Sequence, residues 1–306
     1  MTSTNEARIE TCTACNYECI MCPHSTSFTR IKEVMPIQTF KLIIDKLKKE
    51  APLITDITIS GFGEAFIDLK LLEKIKYAIK KNYNIHVLTN GSFLNKATID
   101  DLMKAGITDL RVSLHTVKAN SYFKVTGQYK KVVTEVLDMI HYAIENKGKT
   151  SIIITADIMD DNKEDVDSLI KYFENEPVTL EIWEPHNWVN WRDYREGKIT
   201  KRSCGRVFNG PLQIQVDGTI NMCCFDYNGK LLIGDFINQS LEEIFNSEEY
   251  LAIKKLHEEG ITEDSDILCA KCDQLIDPGK DIVIYNNMFS KEERIGKTST
   301  NYRSVT

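Results

Sequence analysis

The chain has 306 residues, of which 42% are hydrophobic and 27% charged, enough for one large domain or one large and one small. A net charge of -7 and the lack of any long Lys/Arg block speak against nucleic acid as a substrate, Lys46 to Lys49 reading as a solvated helix face. No run of about 18 apolar residues predicts a membrane span, and the opening MTSTNEARIE has no apolar stretch of the secretory kind. A cytoplasmic, reducing setting is therefore expected for the nine cysteines, where clustered thiols favour metal or redox chemistry over disulfides.

Taken in chain order, Ala7 to Glu10 is a first short strand. A C-x3-C-x2-C run follows it: Cys15, Cys19 and Cys22. Three thiolates would leave one iron of a four-iron cluster open to another ligand. The pairs Cys12/Cys15 and Cys19/Cys22 also have zinc-knuckle spacing, and disulfides are a third reading. Further strands are expected at Ile54 to Ser60, Asn84 to Thr89, Asp109 to Leu114, Ser151 to Ala156 and Val178 to Trp183. Between them lie helical faces built from Phe40, Ile43, Ile44 and Leu47, from Leu71, Leu72, Ile75 and Ile79, and from Val132, Val136, Met139, Ile140 and Ala143. Strand-helix alternation repeated about six times implies a parallel sheet. The strands read as mostly apolar without clean alternation, as when both faces are covered. The fold class is thus α/β, a partial (β/α)6 TIM-like barrel over residues 1–195, with reactive groups on loops after the strand C-termini.

Beyond about Arg195 the pattern changes. Leu212 to Val216, Asp217-Gly218 and Thr219 to Cys223 read as a β-hairpin. One helix is predicted from Leu241 to Glu258, ending at Gly260, followed by the pair Cys269 and Cys272. Residues 196–280 form a small cysteine-bearing unit, and 281–306 a polar extension expected to be mobile.

The barrel loops carry weaker signals that share one position. The second strand ends in Gly61-Phe62-Gly63-Glu64, where glycine permits close backbone approach and Glu64 offers an acceptor for a cationic group. An ordinary βα turn would look the same. The third ends in Thr89-Asn90-Gly91, a turn whose polar side chains could hold ribose hydroxyls, and the fourth in Ser113-Leu114-His115. A lone His such as His115 is more often structural than catalytic.

On these residues the chain resembles the radical S-adenosylmethionine enzymes over roughly residues 6–195. The resemblance implies that Cys15, Cys19 and Cys22 hold a 4Fe-4S cluster whose open iron chelates the amino and carboxylate groups of S-adenosylmethionine. It places Gly61, Gly63 and Glu64 by that amino group, with Thr89, Asn90 and Ser113 as further cofactor contacts. It implies a 5′-deoxyadenosyl radical that removes a substrate hydrogen atom, fed by a flavodoxin or ferredoxin. Cys204, Cys223, Cys269 and Cys272 match the layout of a shortened auxiliary domain of the SPASM/twitch type, which implies a second 4Fe-4S cluster; a four-cysteine zinc site is the alternative. Strand alternation leaves Cys223 and Cys224 in competition, and the family layout favours Cys223. Cys224 is then spare, either inert or a hydrogen-atom donor to a substrate radical. Cys12 has no role in the family pattern.

The layout is similar to that of the 2-deoxy-scyllo-inosamine dehydrogenases of this family, which implies oxidation of a sugar or aminocyclitol alcohol. The segment Trp183 to Arg192 supplies stacking faces together with His186 and Arg192 as substrate-side candidates, or else cements a domain junction. A peptide-modifying enzyme forming thioether, carbon–carbon or epimerised products is the rival. A non-catalytic iron–sulfur or zinc protein is the alternative of another class.

Overall fold

The computed structural model describes residues 4–189, 197–276, 282–287 and 291–295. Six parallel strands are present: β1 (Glu6–Ile9), β2 (Asp56–Ile59), β3 (Asn84–Thr89), β4 (Asp109–Ser113), β5 (Ser151–Asp157) and β6 (Thr179–Trp183). The connecting helices are α1 (Ile37–Glu50), α2 (Leu71–Lys80), α3 (Lys96–Ala105), α4 (Ala119–Thr126), α5 (Lys130–Asn146) and α6 (Val166–Phe173). This is the partial (β/α)6 barrel that the strand-helix rhythm implies.

The strands do alternate, contrary to the sequence expectation. Ala7, Ile9, Ile57, Ile59, Ile85, Val87, Leu110 and Val112 face the helices and are fully or almost fully buried. Their neighbours Glu6, Arg8, Asp56, Thr58, His86, Asp109 and Arg111 face the barrel interior, where they pair with one another. Glu6 Oε1 accepts from Thr58 Oγ1 at 2.6 Å and from Arg8 Nε at 3.0 Å. His86 lies between Asp56, at 2.8 Å, and Asp109, and Arg111 reaches Glu181 at 3.0 Å. The interior is polar, so period two is present in each strand.

The helix faces are mostly as predicted. In α1, Phe40, Ile43, Ile44 and Leu47 are each fully buried, worth roughly 1.5–3 kcal/mol apiece. In α5 the buried face is turned by one position, onto Val133, Leu137 and Ile144 as well as Val136, Ile140 and Ala143. In α2 the face includes a charge: Lys74 is fully buried, and its Nζ donates to Asp68 and to Met35 O, each at 2.5 Å.

The second unit extends the same sheet. After α7 (Arg206–Asn209), β7 (Leu212–Ile214) pairs parallel with β1, and β8 (Thr219–Asn221) and β9 (Leu232–Asp235) continue antiparallel beyond it. The hairpin forms at Asp217-Gly218, with Gly218 at φ 89°. The predicted single helix is two, α8 (Leu241–Phe245) and α9 (Glu248–Glu259), because Ser247 caps a new start by accepting from Tyr250 N. At the other edge, β10 (Ile282–Asn286) pairs antiparallel with β6 and β11 (Lys291–Ile295) with β10. The backbone of these residues completes that edge of the sheet. No helix among the described residues is long and apolar enough to cross a membrane.

The Lys74–Asp68 pair fixes the loop after β2 against the start of α1. Asp68→Ala strands a buried ammonium and should destabilise the chain by about 3–5 kcal/mol, seen as a lower denaturation midpoint in urea.

Candidate active site

The loop that follows β1 carries Cys15, Cys19 and Cys22, and all nine cysteines are free thiols. The protein backbone sets this loop's shape. Glu18 N and Ile20 N donate to Thr126 O and Val125 O at 3.1 and 2.9 Å, and Cys22 N closes a turn onto Cys19 O at 3.0 Å. Trp188 Nε1 donates to Met21 O at 2.6 Å. All three thiols line one cavity of about 240 Å³, together with Gly61, Gly63, Glu64, Thr89, Asn90 and Ser113. The C-terminal ends of β1 to β4 thus bring together every first-site residue that the sequence singles out.

Two of these residues work differently from the sequence expectation. Glu64 is buried, and its carboxylate accepts from Phe66 N at 3.0 Å, Thr89 Oγ1 at 2.7 Å and Asn90 N at 2.7 Å. Three of its roughly four acceptor positions are filled from within the protein, so little remains for a ligand's cation. Burial pushes its pKa up, and the same three donors oppose that. Thr89 accepts from Gly91 N at 3.0 Å as well as donating to Glu64. Its hydroxyl ties a turn together, which takes it away from a ribose. Asn90 Nδ2 donates to Asn16 Oδ1 at 2.9 Å, and its Oδ1 accepts from Ser92 Oγ at 2.6 Å. Ser113 shares a hydrogen bond with Thr155 at 3.3 Å.

Gly63 is required by close approach: a Cβ there would lie 2.3 Å from Cys12 O and 2.6 Å from Ala14 O. That leaves Glu64 N free to donate to Ala14 O at 2.8 Å, clamping the cysteine loop to the loop after β2. Cys12 is buried, its pKa is raised to about 11 by desolvation, and it lines the same cavity as the three loop cysteines. His115 Nδ1 accepts from Asp157 N at 3.0 Å, and burial lowers its pKa, so it is a neutral structural ring on the cavity wall.

Among the described residues no three His, Cys, Asp or Glu side chains stand close enough to chelate a single ion. The donor set nevertheless suits a cationic cluster. Burial pushes the Cys15 and Cys19 thiols up and Cys22 up to about 12, and the neighbouring cysteines add to this for Cys19 and Cys22. Desolvated thiols crowded together are stabilised by a bound cation that takes the place of their protons.

The second cysteine set also converges. Cys204, Cys223, Cys269 and Cys272 line one cavity walled by Val189, Val207, Met222, Leu231 and Leu275. Desolvation raises Cys269 to about 12, and raises Cys272 further. Cys224 lines another cavity, of about 210 Å³, on the barrel side, and its sulfur accepts from Nη1 of Arg206, a residue of the four-cysteine cavity, at 3.4 Å. This second cavity adjoins the first: Ser60, Gly61, Phe62, Leu88 and Trp188 line both. Its other walls include Arg8, Glu10, Gln213, Gln215, Asn221 and Asp226, none of which the motifs pointed to. The available signal was the polar alternation of β1 and β7.

The 186–189 segment joins the two cysteine loops. Asn187 N donates to Asp273 Oδ2 at 2.7 Å and Asn187 Nδ2 to Lys271 O at 2.8 Å, on either side of Cys272. Trp188 and Val189 have φ of 47° and 55°, left-handed backbone that side chains rarely adopt. His186 packs behind this wall, its ring 3.8 Å from Phe225 and 4.1 Å from Trp188, and it lines neither of the two cavities. In this arrangement its ring packs against the two aromatic residues. Arg192 lies outside the described residues.

Comparison with known proteins now decides what the cysteines are for. Residues 9–173, just over half of the chain, match the model of the radical SAM superfamily. The chain belongs to that superfamily. Residues 204–273 match the SPASM iron–sulfur cluster-binding domain. The cofactors are accordingly 4Fe-4S clusters and S-adenosylmethionine. Matches to two uncharacterised proteins of Methanocaldococcus jannaschii, at 25% and 30% identity over 58% and 44% of this chain, span 42% of the length of each. The S-adenosyl-L-methionine-dependent 2-deoxy-scyllo-inosamine dehydrogenase of Niallia circulans is 22% identical over 87% of this chain and 92% of its own. The structure of BtrN with S-adenosylmethionine and 2-DOIA superposes with a TM-score of 0.64 at 20% identity, covering 89% of this chain and 94% of that one. Streptococcus suis SuiB bound to precursor peptide SuiA gives 0.69 at 14% identity, covering 90% and 71%.

A methyl group at position 63 would push the cysteine loop off Glu64. Gly63→Ala should lower S-adenosylmethionine cleavage about 100-fold and cost about four irons per chain, measured by 5′-deoxyadenosine release and iron analysis after anaerobic reconstitution.

Proposed function

We propose that this radical SAM enzyme oxidises a secondary alcohol of a small polyhydroxylated or aminated ring, a sugar or aminocyclitol. Cys15, Cys19 and Cys22 would hold the first cluster, and Cys204, Cys223, Cys269 and Cys272 the second. When bound, the first cluster and S-adenosylmethionine supply a 5′-deoxyadenosyl radical able to abstract a hydrogen atom from an unactivated carbon.

The observation that carries this reading is the cavity of about 210 Å³ between the two cysteine sites. It has room for about seven waters at ~30 Å³ each, on the scale of a single ring. Its walls pair hydrogen-bonding groups (Gln213, Gln215, Asn221, Asp226, Arg8) with aromatic faces (Phe62, Trp188, Phe225). That mixture suits a molecule with many hydroxyl or amino groups and apolar C–H faces. A substrate there would touch the S-adenosylmethionine cavity on one side and Cys223 on the other, so hydrogen abstraction and electron removal could act on one molecule. The 22% relationship to the inosamine dehydrogenase over 87% of the chain supports the same direction.

Two division-of-labour variants test it. Cys15, Cys19 and Cys22 changed together to Ala should abolish 5′-deoxyadenosine formation. Cys269→Ala with Cys272→Ala should lower iron from about eight to about four per chain, leave S-adenosylmethionine cleavage within a few-fold, and stop turnover of a panel of aminocyclitols and sugars. Turnover of a peptide and of no ring compound would instead favour the peptide-modifying reading. Absence of 5′-deoxyadenosine with dithionite would remove the radical reading altogether.

A further inference from the structure

Among the described residues, one half-buried cation has no carboxylate to balance it. Arg206 opens α7 two residues after Cys204 and lines the cavity formed by Cys204, Cys223, Cys269 and Cys272. Its guanidinium donates to Cys224 Sγ at 3.4 Å and lies 4.5 Å from the centre of the Phe225 ring. Among the described residues it forms no ion pair with Asp or Glu. Elsewhere in the interior the arginines are paired with acids: Arg8 with Glu6, Arg30 with Glu10, Arg111 with Asp109 and Glu181. A desolvated guanidinium is costly unless an anion meets it. The groups it does meet are the Cys224 sulfur and the cavity formed by the four other cysteines, so the sulfur-rich site is the counter-ion within reach.

We propose that Arg206 is the counter-charge of the second cluster, a positioning residue that raises that cluster's reduction potential so that it can accept an electron from the substrate. The inference rests on the reading of Cys204, Cys223, Cys269 and Cys272 as a cluster site. Once a substrate carbon has lost a hydrogen atom, forming a carbonyl requires loss of one electron and one proton. The second cluster, held by the four cysteines, would supply the acceptor for that electron, and the proton would leave to solvent. Cluster potentials follow local net charge and hydrogen bonding to sulfur, and a cation on the cavity wall favours the reduced, more negative state. Arginine suits the position because its charge persists when buried and its planar group stacks on Phe225 while still donating to sulfur.

The test is a redox titration followed by electron paramagnetic resonance, on the full chain carrying Cys15, Cys19 and Cys22→Ala so that only the second cluster is read. Iron below about four per chain in that parent would refute the second-cluster reading itself, separately from the role of Arg206. With the cluster present, Arg206→Gln should disfavour one-electron reduction about tenfold or more, a shift of about 59 mV to lower potential. Arg206→Lys, which keeps the charge, should stay within about threefold of the parent. If Arg206→Gln fails to take up the cluster while Arg206→Lys takes it up, the need for a cation is established by loading instead. An unmoved potential in Arg206→Gln, or equal loss of loading or equal shifts in both variants, would overturn the proposal and reduce Arg206 to packing.

Discussion

The active-site end of this barrel depends on one desolvated carboxylate. Glu64 receives three donors from the loops after β2 and β3, and its own N–H reaches the cysteine loop after β1. Three loops that would otherwise move independently are thereby joined at a point from which water is excluded. A carboxylate serves better than a neutral group, since hydrogen bonds to a charged acceptor are roughly twice as strong. The absence of a Cβ at Gly63 lets the two backbones approach closely enough for this to form. The cysteine loop is therefore held in shape by the protein's own hydrogen bonds, as a reactive site requires.

A second constraint couples the two cysteine sites. Asn187 is bonded on both sides of Cys272, and Trp188 is bonded between Cys19 and Cys22. Two successive left-handed residues allow one short segment to reach both. Such backbone costs on the order of 1–3 kcal/mol per residue and persists only where its surroundings over-determine it. The indole contributes to the walls of both cavities while its N–H is anchored, so the partition between them is fixed by hydrogen bonds and not by packing alone. Trp188 does what domain cement requires, bonding across to Met21 O, and its ring also lines both cavities.

Much of this was legible in the sequence. Asn84 to Thr89 matches β3 at both ends, and the other five barrel strands differ by one or two residues at an end. Both cysteine sets could be read because their spacing is local or matches a domain layout. What could not be read was tertiary. Glu64 and Thr89 look like ligand contacts until their partners within the protein are known, and nothing local to His186 tells that its ring packs against Phe225 and Trp188. β11, KEERI, carries an unremarkable polar sequence because an edge strand draws on backbone hydrogen bonds that composition does not record, whereas β10, IVIYN, is a β-branched run that the sequence reading passed over. The break between α8 and α9 was visible in principle, since Ser247 precedes two glutamates as a helix cap does.

The alternation missed in the strands bears on how the barrel is used. A barrel whose interior only needed filling would carry branched apolar side chains there. Here Asp56, His86, Asp109, Arg111 and Glu181 form a continuous buried chain across β2, β3, β4 and β6, toward the N-terminal ends of the strands. Replacing such a chain with apolar residues would often be neutral or stabilising, so stability alone does not account for it. It gives the interior a polar floor in which charge is met by charge. Above it, Glu10, Gln213 and Gln215 stand at the wall of the second cavity. Because β7 adds directly to β1, the auxiliary unit contributes its glutamines to the same inward face as the barrel's own acids. The cavity between the cysteine sites is thus lined by one continuous sheet, and its polarity is set by the strand period from Glu6 through Gln215.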